Sequence, residues 1–170
     1  MPAELSPGRS EIAVVTAADV AAIKRTALGS PSQRARICLH RHQEDLPHQM
    51  LIAWHAGEPF PPHRHTGEKS ETVQMVEGML HYFIFEADGR LMRHLQLAPA
   101  EAGGEFMVRI PPRTWHMPIP AAGCAVYLET FTGPYDRTTD VEFAPWAPGE
   151  RDPMALAAWT EALLAGRENR

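Results

Sequence analysis

From Ala35 to Thr132 the chain never sustains a helical period. It breaks instead into short runs rich in β-formers: Ala35 to His40, Gln49 to Trp54, Glu71 to Val76, Met79 to Glu86, Leu91 to Leu97, Phe106 to Ile110 and Ala125 to Thr132. Gly, Pro or Asp-Gly signals separate most of them, and Glu86-Ala87-Asp88-Gly89 has the composition of a hairpin turn. A chain punctuated this way cannot build long helices. Regularly spaced short strands predict a mainly all-β sandwich or barrel. A helix flanks each end. Thr16 with Asp19 three residues on forms a capping box before Ala17 to Leu28, and Gly29 and Pro31 stop that helix. Asp152 as cap, Pro153 in the first turn and Gly166 as stop mark the second helix. Leu156, Trp159 and Leu163 give that helix one apolar face for packing. The expected division is an N-terminal extension over 1–30, a barrel over 31–135 and a tail over 136–170.

With 170 residues, the chain is sized for one domain with a real core. Sixteen Lys and Arg against twenty-one Asp and Glu leave a formal charge of −5, which argues against a nucleic-acid or membrane-surface binder. No apolar run is long enough to span a bilayer, and Met-Pro-Ala-Glu-Leu-Ser-Pro lacks the features of a secretory signal. Two cysteines, Cys38 and Cys124, are too few for a disulfide framework, so a cytoplasmic location is expected. Cys124, with no base or helix N-terminus near it in sequence, is expected to be a small buried hydrophobe.

Nine histidines carry the functional signal. Two His-x-His pairs occur, His40-x-His42 and His63-x-His65, and on a strand either would present two imidazoles to one face. The second pair is preceded by the stiff Glu-Pro-Phe-Pro-Pro segment. It is followed by a polar loop, which lets Glu71 double back opposite it. Much later, Pro111-Pro112-Arg113-Thr114-Trp115 delivers His116 directly after a turn. Three imidazoles and a carboxylate suit a divalent transition metal: iron, nickel, manganese, zinc or copper. The candidate metal ligands are therefore His63, His65, Glu71 and His116. His40, His42, His48, His55 and His94 are read as surface or core residues. His81 is read first in the same way, with a place in the cavity as the alternative, because it follows Gly78 on a strand able to line it.

At these residues the chain resembles the cupin superfamily. Gly57-x5-His63-x-His65-x5-Glu71-x6-Gly78 matches the first cupin motif with one extra loop residue. Gly104-x6-Pro111-x-Arg113-x2-His116 follows the second loosely, with Arg113 in place of a glycine and Pro120 in place of the asparagine. Arg36 to His40, Pro62-His63-Arg64-His65, Lys69-Ser70-Glu71, Asp88-Gly89-Arg90 and the tail from Gly133-Pro134-Tyr135-Asp136 to Glu142-Phe143-Ala144-Pro145-Trp146-Ala147-Pro148 resemble the WbuC-family cupin-fold metalloproteins. The resemblance implies a double-stranded β-helix (jelly-roll) barrel with a metal inside, often dimeric, and an association with bacterial polysaccharide gene clusters.

A metal held by four protein groups keeps open coordination positions, the mark of a site that does chemistry. Three functions are expected to compete: a Lewis-acid isomerase or epimerase acting on a carbohydrate-like molecule, an Fe(II) dioxygenase, and a non-catalytic module that binds or senses a small ligand. The expected partners are a sugar or sugar nucleotide and a second copy of the chain. His81 and Tyr127 are the candidate proton carriers. Lys69 and Arg113 are candidates to orient Glu71 or to bind an anionic group. Phe60, Met75, Phe83, Met107 and Trp115 either make a dry pocket or simply form the core.

Overall fold

The computed structural model describes residues 3–5, 12–57, 59–136 and 138–166. In chain order the elements are β1 (Ala3–Leu5), α1 (Ala17–Gly29), β2 (Arg34–Cys38), β3 (Pro47–His55), β4 (His63–His65), β5 (Glu71–Glu77) and β6 (Leu80–Phe85). There follow β7 (Leu91–Leu97), a single 3-10 turn, β8 (Met107–Ile110), β9 (Trp115–Pro120), β10 (Cys124–Thr132), β11 (Val141–Phe143) and α2 (Pro153–Ala165). One sheet has the order β1-β2-β3-β10-β5-β8 and the other β11-β4-β9-β6-β7, and every pairing between these strands is antiparallel except β1 with β2. Neighbours far apart in sequence, such as β10 between β3 and β5, mark a doubly crossed jelly roll.

Alternation along the strands builds four layers. Ala35 and Ile37 of β2, Leu51 and Ala53 of β3 and Val126 of β10 pack outward on Ile23 and Ala27 of α1. Phe83 and Phe85 of β6 and Trp115, Met117 and Ile119 of β9 pack outward around Leu156, Trp159 and Leu163 of α2. The inward faces of both sheets make the central core, which includes Trp54, Val73, Leu80, Tyr82 and Tyr127. Each fully buried large side chain there contributes about 1.5–3 kcal/mol of hydrophobic stabilisation.

Both caps read in the sequence form: Thr16 and Asp19 bond reciprocally, and the Asp152 carboxylate accepts from the Ala155 N–H at 3.0 Å. Both terminal segments also give a strand to a sheet, β1 beside β2 and β11 beside β4. The expected division of the chain foresaw neither strand. Strand β9 carries Pro118 and Pro120, which disguise it as loop. It pairs with β4 only at His63–His116, so beyond that point this side of β9 is a free edge, where a sheet tolerates proline.

Two turns fix the frame of the site. Arg113 adopts a φ of 62°, the left-handed conformation of the glycine that it replaces, and its N–H donates to the His65 carbonyl at 3.0 Å. Gly78, at φ 73°, brings its backbone against β10, where an added Cβ would overlap the Cys124 carbonyl oxygen.

Candidate metal centre

Four side chains from three parts of the chain converge between the sheets. His63 and His65 stand two apart on β4 and therefore share a face, His116 lies opposite His63 on β9, and Glu71 opens β5 on the facing sheet. All four are buried, with His116 fully inaccessible. One ligand atom from each lies within 4.8 Å of the others.

The hydrogen bonds around the imidazoles favour one tautomer. Nδ1 of His63 meets the Pro61 carbonyl at 3.1 Å, Nδ1 of His65 the Asp140 carbonyl at 3.3 Å and Nδ1 of His116 the Thr114 carbonyl at 2.9 Å. A carbonyl only accepts, so each Nδ1 carries a proton and each Nε2 is the atom left to ligate. Nε2 of His65 lies 2.7 Å from Oε2 of Glu71, close enough for the two atoms to hydrogen-bond or to ligate one ion side by side. Nε2 of His116 is buried with no hydrogen-bond partner, 3.5 Å from the same oxygen. Burial, then the charges of His116 and His65, hold the His63 imidazole well below its usual range, in the neutral form that ligates. Burial pushes the Glu71 carboxyl up, but the imidazoles of His116 and His65 outweigh it and keep the group ionised. Tyr82 donates to Oε1 of Glu71 at 2.7 Å and stacks on His116, which fixes the carboxylate. Burial first, and then the charge on Glu71, push the Tyr82 hydroxyl well above its usual range, so it remains a donor. Three imidazoles, one carboxylate and an orphaned buried nitrogen fit a divalent cation.

The C-terminal tail holds this arrangement. β11 pairs with β4, placing Phe143 beside His63 and Val141 beside His65. Lys69 forms an ion pair with the buried Asp140 and donates to the Pro134 carbonyl. Its ammonium therefore ties the tail down behind His65, away from the cavity. Arg113 is exposed and pairs with Glu68 at 3.2 Å. Neither lines the pocket.

A cavity of about 280 Å³ reaches the cluster, with His63, His65 and Glu71 in its wall. Tyr127 lines it. His81 does not: the inward residues of β6 are Leu80, Tyr82 and Ile84, and His81 stands on the opposite face with its ring 5.4 Å from that of His94. Of the five apolar candidates only Phe60 lines the cavity. Met75 is core, Phe83 and Trp115 pack toward α2, and Met107 is exposed. His40 and His42 sit in the cavity wall but not on a strand, because β2 ends at Cys38. His40 stacks on His48 at 4.0 Å, and neither belongs to the four-residue cluster.

Sequence reasoning missed Glu129. On β10 it lies between Met50 of β3 and Val73 of β5, one of the inward positions that include Tyr127 and Phe131. Burial, then the charge on Glu71, push its carboxyl up to about 7. The only signal was alternation along Ala125 to Thr132, which places Glu129 on the face of Tyr127. Burial also pushes the Tyr127 hydroxyl far up, so it stays protonated.

A family described as a domain of unknown function (DUF6016) matches residues 15–97. No curated protein matches the chain. A structural-genomics protein from Shewanella oneidensis superimposes with a TM-score of 0.51 at 17% identity, covering 62% of this chain and 70% of that one. Recombinant oxalate oxidase in complex with glycolate gives 0.50 at 17% identity, covering 79% and 67%. The fold is the cupin jelly roll. The chain spans 24% of the oxalate decarboxylase of Bacillus subtilis, over 59% of its own length, at 15% identity and a TM-score of 0.48. At such identities the likeness speaks for the fold alone. The case for a metal in this chain rests on its own His63, His65, Glu71 and His116, which could hold one ion.

Proposed function

We propose that this cupin is a small-molecule enzyme that uses one divalent metal as a Lewis acid on an oxygen-rich, carbohydrate-like substrate, as an isomerase or epimerase. The observation that carries the reading is the buried four-residue cluster with three of its members in a cavity wall. The resemblance to the WbuC family, with its polysaccharide association, supports the choice of substrate. A bound cation supplies Lewis acidity, polarising a carbonyl or hydroxyl oxygen of the guest. Phe60 and Ile52 give the cavity an apolar stretch of wall. Tyr127 offers a hydroxyl donor. The Glu129 carboxyl, which lines the cavity on the face of Tyr127, is the group able to give or take a proton. Metal-loaded protein should convert aldoses, ketoses or sugar acids in the absence of oxygen and lose that activity with a chelator. Conversion that consumes oxygen would instead make it an Fe(II) dioxygenase. Ligand-raised melting without turnover would make it a binding module.

Glu129 also has a consequence for stability. Its folded-state pKa of about 7 lies above the ordinary 4.5, so the folded form holds a proton that the unfolded chain has released. Stability from this group is present below about 4.5 and is lost as pH rises to about 7. In chelator-treated protein, Glu129→Gln should therefore gain about 2 kcal/mol on wild type between pH 5 and pH 8. Urea melts at the two pH values measure it. Parallel curves would mean that Glu129 is not held protonated.

A further inference from the structure

β2 and the loop after it give the cavity a second stretch of wall, which carries three arginines beside Cys38, His40, His42 and Gln43. Ala35 and Ile37 point outward to α1, so Arg34 and Arg36 turn inward, and Arg41 follows at the mouth. On a chain with formal charge −5, three guanidinium groups thus gather around one small cavity whose lining carboxylates are Glu71 and Glu129. Arg34 is held rigidly: its guanidinium lies 4.9 Å from the Trp54 ring centre and 5.0 Å from that of Phe60. Stacking occupies the faces of a guanidinium and leaves its in-plane edge for hydrogen bonds, of which Arg34 gives one to the Tyr127 hydroxyl and has others to offer a ligand. Arg36 touches the Met50 sulfur at 3.8 Å. Across the sheet, Arg36 is level with Ile52 and then Tyr127, so the arginine row and the proton-carrying wall flank the same space.

We propose that the substrate is a small oxyanion, a sugar-sized acid or phosphate ester, whose charged group is held by Arg34 and Arg36 while its hydroxyl or carbonyl oxygens face His63, His65 and Glu71. This rests on the reading of the cluster as a metal site. A volume of about 280 Å³ sits just below the range of drug-sized pockets, so it takes a single sugar ring, and a nucleotide attached to that sugar would lie outside.

The test is calorimetric titration of D-glucuronate, D-glucose 6-phosphate and D-glucose into metal-loaded wild type, Arg34→Gln and Arg36→Gln, with metal per chain measured on each. Arg36→Gln is included because Arg34 packs on two aromatic rings and its loss can disturb folding. At least one of the two acids should bind wild type about tenfold or more tightly than glucose, weakening as salt rises. Which acid does so separates carboxylate from phosphate recognition. Each substitution should remove most of that preference and leave the metal content unchanged. No acid preference in wild type, whether all three sugars bind alike or none binds, overturns the proposal. So does a preference that survives both substitutions. A protein that takes up no metal yet shows the arginine-dependent preference would refute the metal reading and leave the oxyanion grip standing.

Discussion

His116→Ala purified without a metal-affinity tag should carry almost no metal, where wild type carries about one transition-metal ion per chain. His116 is fully inaccessible, its Nδ1 meets the Thr114 carbonyl and its Nε2 has no hydrogen-bond partner, and among the described residues no other side chain completes the cluster in its place. The loss should appear in stability as well. A metal present at about a hundred times its dissociation constant adds about 2.7 kcal/mol to the folded state. For a chain of this size that is a rise of about 5–10 °C in melting temperature on loading stripped wild type. Adding metal to His116→Ala should shift nothing, and His63→Ala should behave likewise. His81→Ala, on the outer side of β6, is the control and should keep both metal and shift. Elemental analysis and thermal melts in parallel check it. Full metal content in His116→Ala would remove the cluster as the site.

The second large effect concerns a residue with no side chain. Gly78→Ala should destabilise by about 3 kcal/mol or more, because the left-handed φ strains the alanine and its Cβ meets backbone, which cannot swing aside. That Cβ would overlap the Cys124 carbonyl and lie 3.1 Å from the Ala125 Cα. Gly67 separates the two causes. It has a φ of 64° with nothing within 4 Å of an added Cβ, so Gly67→Ala should cost only the backbone term, about 1 kcal/mol. Urea melts of both variants measure the difference, and equal losses would mean that the close approach at Gly78 contributes nothing. Because β10 carries Glu129 and β5 carries Glu71, Gly78→Ala should also weaken metal binding.

Local chemistry in the sequence was enough for the strand punctuation, both helix caps and the convergence of His63, His65, Glu71 and His116. The caps and the His63–His65 pair are decided within a few residues, a cap by the group three positions on and a shared strand face by a spacing of two, while His116 was named by its motif and brought in by the pairing of β4 with β9. The motif also named the turn at Arg113, although a non-glycine there obscured it. What stayed hidden depended on what lies on the far side of a strand. Alternation shows that Arg34 and Arg36 share a face but not which face is inward. That was settled when α1 covered Ala35 and Ile37. The same reason moved His81 away from the cavity and brought Glu129 into it. Lys69, read as a candidate to orient Glu71 or to bind an anionic group, instead anchors the tail through Asp140, a contact made across 71 residues. Spacing along the chain therefore determined which imidazoles could share an ion. Only the packing of two helices on the outer faces of two sheets decided which charges face the cavity, because a strand buries whichever side meets an apolar partner.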